Sequence, residues 1–141
     1  MDNLILTSSF NIVAKELYEK GLLPQGPVMD GFVATAADPY KDKPWMEADR
    51  KVLVDFGYQV VDIDLKNKTA TDLKISFHDA KIIFVAGGNT TYLVEYAKRS
   101  GFLGIVRELL DEDRIFIGSS AGSILAGPTV EPFVEEDIAE L

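Results

Sequence analysis

Gly118-Ser119-Ser120-Ala121-Gly122 is the stretch of this chain whose residue types and spacing could do covalent chemistry. It fits G-x-S-x-G, in which small neighbours let the backbone bend sharply around a serine and pass close to other segments. An apolar run, Ile115-Phe116-Ile117, precedes it, and a good helix former, Ala121 to Ala126, follows. Strand, tight turn and helix together lift a serine hydroxyl above the carboxyl edge of a sheet. The amide of the next residue, here Ala121, then faces a developing oxyanion at the start of a helix. The bare pattern arises by chance in roughly 5% of chains of this size, so the flanking elements carry the reading. A plainer reading of the same residues is a glycine-rich turn with Ser120 as a helix N-cap.

Gly87-Gly88-Asn89-Thr90 is the second constellation. It too follows an apolar run and precedes a helical pattern, and in a doubly wound sheet such loops line the ligand crevice. Gly88 can present an unobstructed amide, which makes it a candidate second oxyanion donor, with Gly87 and Asn89 beside it. The same residues also suit a tight turn in which Asn89 or Thr90 caps the helix. No dinucleotide or P-loop glycine pattern occurs.

These loops need elements to hold them. The chain has 141 residues, 47% of them hydrophobic, enough for one domain, 1–141, with a real core. Short apolar runs bounded by turn residues alternate with segments of helical period. Strands are predicted at Leu4-Ile5-Leu6, Gly31 to Ala36, Tyr58 to Asp62, Lys81 to Ala86 and Arg114 to Gly118. Helices are predicted over Asn11 to Lys20, from Pro44 to Phe56, and over Thr90 to Arg99, Phe102 to Leu110 and Ala121 to Ala126, with Thr7-Ser8-Ser9 as the cap of the first. Leu65 to Ser76 reads as irregular or as a short edge element. The continuous apolar run Lys81 to Ala86 predicts a strand buried on both faces. This alternation implies a three-layer α/β/α, doubly wound, mostly parallel sheet.

Composition removes other classes. There are 14 Lys plus Arg against 23 Asp plus Glu, a net charge of −9, which argues against a nucleic-acid partner. No apolar run is long enough for a membrane span, and no secretory signal opens the chain, so a cytoplasmic location is expected. Zero Cys and one His exclude Cys-ligated zinc and a multi-histidine metal site, and no cofactor is expected.

Taken together, Ile82-Ile83-Phe84-Val85-Ala86-Gly87-Gly88-Asn89-Thr90-Thr91-Tyr92-Leu93 and Ile117-Gly118-Ser119-Ser120-Ala121-Gly122-Ser123 resemble the peptidase E (dipeptidase E) family of serine peptidases, to which cyanophycinases are related. The resemblance runs from the first strand through Pro128-Thr129, and the paired loops are far more specific than either alone. It implies a class I glutamine-amidotransferase-like, flavodoxin-like fold and hydrolysis of short peptides with an N-terminal aspartate through an acyl-enzyme. Ser120 would be the nucleophile, Gly88 and Ala121 the oxyanion donors, and Glu135 the acid that orients the base, with Glu131 and Glu136 as alternates.

The family's catalytic histidine lies beyond that acid, and the sequence stops at Leu141. The chain therefore reads as the N-terminal two-thirds of such a domain, inactive alone, its exposed flank inviting a homodimer. His78 is not expected to substitute. It precedes the strand Lys81 to Ala86, whereas Ser120 follows its own strand, so roughly 16–20 Å of strand separate them. Tyr40 and Trp45 could wall a substrate pocket, although helix-start packing is the plainer reading. Asp38 reads as a turn residue before Pro39, and Asp62-Ile63-Asp64 lacks a third ligand for a metal. The tail from Glu131 carries Glu135, Glu136, Asp137 and Glu140 and no base. Val130, Phe133, Val134 and Ile138 suit an interior segment better than a solvated end. Two rivals stand beside the peptidase reading. One is an α/β-hydrolase esterase, which would need an H-G-G-G-like loop. The other is a non-catalytic binding module on the same fold, with Ser120 a structural turn.

Overall fold

The computed structural model describes residues 3–126. Glu131, Glu135, Glu136 and the rest of the acidic tail lie outside the described residues. Five strands, β1 (Leu4–Thr7), β2 (Met29–Val33), β3 (Gln59–Asp62), β4 (Ala80–Val85) and β5 (Ile115–Ser119), form one sheet in the order β1-β5-β4-β2-β3, with every pairing parallel. Six helices accompany them: α1 (Phe10–Glu19), α2 (Pro44–Asp55), α3 (Ala70–Ser76), α4 (Thr90–Ser100), α5 (Phe102–Asp111) and α6 (Ala121–Ala126). This is the predicted parallel α/β fold, with β4 at its centre.

Strand alternation divides the core into two layers. Phe32, Ile82, Phe84 and Ile117 face α1 and α2 together with Phe10 and Leu53. Val33, Ile83, Val85 and Phe116 face α3 to α6 together with Phe77, Leu93 and Phe102. Phe84 anchors the first layer, stacked on Phe32 at 5.0 Å and met edge-on by Phe10 at 5.0 Å. β1 is an edge strand, and Leu6, Ile12 and Leu22 stay exposed beside it.

Three local expectations need correction. Strand β2 ends at Val33 and the chain turns into a 3-10 turn, Thr35–Ala37, rather than extending to Ala36. That turn follows from what it supports: the Ala36 carbonyl accepts the Asn89 amide at 2.8 Å. Leu65 to Ser76 is not irregular but contains α3. Its cause is a capping box in which Thr69 and Asp72 satisfy each other's amides, around a buried Leu73. Ser9 does not cap α1 with its side chain; the capping groups come from elsewhere in the fold.

Asp30, one residue before the predicted start of β2, is a fully buried carboxyl with neither oxygen bonded within the described structure. Burial pushes its pKa well above the ordinary aspartate range, and the Arg50 guanidinium only partly opposes this. The folded protein therefore holds a proton that the unfolded chain releases near pH 4. As pH rises above that, unfolding becomes progressively more favourable through this group. Asp30→Asn is expected to raise stability at pH 7 by roughly 1 kcal/mol or more, with the gain vanishing below about pH 4. Urea midpoints of both proteins across pH check this; curves that stay parallel throughout would contradict it.

Candidate active site

The carboxyl ends of β1, β2, β4 and β5 meet around one cleft. At the end of β5, Ser120 has φ 56, a left-handed backbone that non-glycine residues rarely hold. It is held there by three hydrogen bonds. Its amide donates to the Thr7 carbonyl at 2.9 Å, and its carbonyl accepts the amides of Ser123 at 2.9 Å and Ile124 at 3.1 Å. The hydroxyl is left on the surface of the cleft while Ser119 before it and Ala121 after it are buried. Such a conformation is the elbow that the sequence pattern predicts, not the extended backbone of an N-cap.

The flanking glycines are required by contact. A Cβ on Gly122 would lie 2.1 Å from the Val85 carbonyl oxygen, and one on Gly118 would lie 2.7 Å from the Ser123 amide nitrogen. α6 can thus start directly against the central strand. On the neighbouring loop, a Cβ on Gly87 would sit 3.0 Å from Ser120 Cβ and 3.6 Å from its Oγ. Gly88 has φ 149 and no room for a side chain, since a Cβ would meet the Ala36 carbonyl oxygen at 2.1 Å. Asn89 caps α4 by accepting the Tyr92 amide at 2.9 Å. Among the described residues no backbone carbonyl accepts the Gly88 or Ala121 amide.

The cleft has a volume of about 330 Å³. Ser119, Ser120, Gly87 and Gly88 line one side, Ser8 and Ser9 another, and Tyr40, Trp45 and Asp49 the third. Tyr40 and Trp45 do wall the pocket. Trp45 starts α2, meets Tyr40 edge-on at 5.1 Å and donates its indole N–H to the Gly87 carbonyl at 2.8 Å. Helix-start packing and pocket wall are one and the same position.

Two residues of the cleft have no role of their own in the sequence expectations. Asp49 is buried on α2, and its Oδ1 accepts both the Asn11 amide and the Asn11 side chain at 2.8 Å. Ser119 turns its hydroxyl away from solvent and accepts the Phe10 amide at 3.1 Å. Asp49 and Ser119 therefore cap the first turn of α1 in place of Ser9. Burial raises the Asp49 pKa, and hydrogen bonds from Asn11 and Ser119 partly offset it. The available signal was the i, i+4 spacing of Trp45 and Asp49, which sets both on one helix face.

His78 lies between α3 and β4, at the amino end of the strand, with its side chain 81% exposed beside Asp79. The cleft is at the opposite end of the sheet, so His78 is no base for Ser120. Asp38 pairs with Lys66 at 3.0 Å, and Asp62 pairs with Arg50. Asp64 accepts the Thr35 hydroxyl at 3.2 Å. Among the described residues no group of acids and His could hold a metal ion, and no helix is long and apolar enough to cross a membrane.

Residues 28–139 match the model of Peptidase family S51. The chain is 31% identical over 130 residues to the uncharacterized peptidase Lin0382 of Listeria innocua, covering 92% of this chain and 62% of that protein. It is 29% identical over 142 residues to a Peptidase E of Nostoc, covering 97% of this chain and 57% of that one. A crystal structure of a candidate Peptidase E protein from Listeria monocytogenes EGD-e superposes with a TM-score of 0.82 at 30% identity. It covers 91% of this chain and 63% of its own. This chain therefore spans about three-fifths of the length of these proteins.

Proposed function

The chain belongs to peptidase family S51, and from that membership we propose that it carries the nucleophile half of a serine peptidase acting on short peptides. Ser120 Oγ attacks the scissile carbonyl while the Gly88 and Ala121 amides receive the oxyanion. The amine leaves with a proton, and water then hydrolyses the ester on Ser120. The observation that supports this most directly is the left-handed Ser120 backbone, which sets an exposed hydroxyl against the Gly87-Gly88 loop. Chain topology adds that all these groups sit at the carboxyl edge of a parallel sheet, where such folds do their chemistry.

As Ser120 attacks, its proton needs a base, and a serine without one is a weak nucleophile. The family resemblance assigns the base to a histidine beyond the orienting acid, with Glu135 in that role and Glu131 or Glu136 as alternates. It also points to an N-terminal aspartate in the substrate. None of the described residues that line the cleft is a cation. Among the described residues β1 is an edge strand with Leu6 and Ile12 exposed, which supports a homodimer, and a cytoplasmic setting suits a chain with zero Cys.

The 141-residue chain alone is expected to show no turnover above background. The same chain joined to the C-terminal region of the Listeria monocytogenes relative is expected to hydrolyse dipeptides with N-terminal Asp. Equal rates from the two would reject the assignment of the base. A second reading, a non-catalytic binding module, is favoured by the placement of the single histidine at the wrong end of the sheet. It predicts that the joined chain is inactive as well.

A further inference from the structure

The loop that touches Ser120 contains two consecutive glycines, and a side chain bonds the peptide group between them. That group carries the Gly87 carbonyl and the Gly88 amide, which share one trans plane and point in opposite directions. Rotating the plane needs changes only at ψ of Gly87 and φ of Gly88, and neither residue has a Cβ to resist them. Gly88, at φ 149, already sits where other residues rarely go. Such a unit can turn over, and its amide then points the other way. The bonds at the ends of the loop do not prevent this. The Ala86 amide donates to the Val33 carbonyl at 2.9 Å and the Asn89 amide to the Ala36 carbonyl at 2.8 Å, which fixes the strand before and the helix cap after.

The Trp45 indole acts on the plane itself. Its N–H reaches the Gly87 carbonyl at 2.8 Å from the first turn of α2. Tyr40, edge-on to the indole at 5.1 Å, is tied in turn by its amide to the Ala37 carbonyl at 3.0 Å. The 3-10 turn Thr35–Ala37 therefore anchors both the neighbour of the indole and the Asn89 end of the loop. Holding the carbonyl fixes the direction of the amide on the far side of the same plane. It also polarises the peptide, which makes the Gly88 N–H a stronger donor. Gly88 lines the cleft, so that direction decides whether the cleft offers the donor.

We propose that Trp45 is a positioning residue whose indole N–H locks the Gly87–Gly88 peptide in the orientation that gives the cleft the Gly88 amide. This rests on the reading that the Gly88 amide receives the oxyanion formed when Ser120 attacks. In this role the tryptophan touches no reacting atom. It acts through the glycine peptide, on the step in which charge develops, and not on the binding of the uncharged ground state. Phenylalanine at position 45 keeps an aromatic wall and loses the lock.

Two measurements test this. The first is NMR on the 141-residue chain and needs no turnover. In the unaltered chain, coupling across the hydrogen bond is expected between Trp45 Nε1 and the Gly87 carbonyl carbon, and its absence overturns the proposal whatever any variant does. Trp45, the single tryptophan, is then replaced by 3-benzothienylalanine, which keeps the two fused rings and puts sulfur where the N–H was. The Gly87 carbonyl and Gly88 amide signals are expected to shift and to broaden through exchange on the microsecond-to-millisecond scale. The Ser123 and Ile124 amides, which bond the Ser120 carbonyl, are expected to keep their positions. Sharp, unshifted Gly87 and Gly88 signals overturn the lock.

The second measurement is kcat and KM in the chain joined to the relative's C-terminal region. Trp45→Phe is expected to lower kcat about tenfold or more and to change KM less than about threefold, a loss smaller than that of removing an oxyanion donor outright. Unchanged kcat overturns the proposal, and so does a raised KM with kcat spared, because the indole would then serve only as a wall for substrate. The failures are distinguishable. An inactive joined parent removes the peptidase reading while NMR still decides the lock, and an active parent matched by Trp45→Phe removes the lock while the peptidase reading stands.

Discussion

Ser120→Ala, made in the chain joined to a relative's C-terminal region, is expected to lower peptide hydrolysis on the order of 10⁴-fold or more, with the fold intact. The size follows from the role: without the hydroxyl no acyl-enzyme forms, and only binding and the amide pair remain to help water attack. Ser119→Ala is the informative neighbour. Its hydroxyl is buried and accepts the Phe10 amide, so its loss should weaken the start of α1 and leave turnover within about tenfold. Steady-state rates of both variants, with thermal unfolding as the control for folding, decide between the two adjacent serines. A Ser120→Ala variant that keeps more than a tenth of the activity would remove the nucleophile from this cleft.

The second large effect concerns folding. Gly122→Ala is expected to cost about 3 kcal/mol or more, a large part of the stability of a domain this size. Its new methyl would lie 2.1 Å from the Val85 carbonyl oxygen, and Val85 belongs to the central strand, which cannot shift without moving both core layers. Gly104→Ala is the contrast. Gly104 sits on the exposed side of α5 with nothing within 4 Å of an added Cβ, so alanine there should stabilise by roughly 1 kcal/mol through helix propensity. Denaturant midpoints of the two variants should move in opposite directions. A Gly122→Ala protein within about 1 kcal/mol of the parent would mean that α6 does not pack on β4 as described.

Much of this architecture was legible because two strands of the sheet centre, β4 and β5, carry apolar runs with glycine soon after them, Gly87 and Gly118. Lys81 to Gly88 reads as a buried strand and a turn without any tertiary information, and the elbow reads the same way. α3 was hidden because its signal is a cap, Thr69 with Asp72, attached to only one buried residue, Leu73, within a polar stretch. Periodicity cannot register a helix whose stability comes from its first turn. The site was legible in part. Ser120, Gly87, Gly88, Asn89 and Ala121 lie in two short motifs, and the fold brings those motifs into contact. Asp49 and Ser119 were not legible as a pair. They join α2 to the elbow and to α1 through bonds that span long stretches of chain, and nothing in local spacing encodes such a meeting. Glu135 belongs to a stretch whose environment the described residues do not include.

Trp45 has one more consequence. It is the single tryptophan of the sequence, and its indole N–H is bound to the carbonyl of Gly87, on the loop that touches Ser120. Indole emission shifts with hydrogen bonding and local polarity, so light absorbed at the red edge of the protein band reports on this cleft and nowhere else. The molecule carries a built-in optical probe at the place where ligands are expected to sit, with no label to attach and no background to subtract.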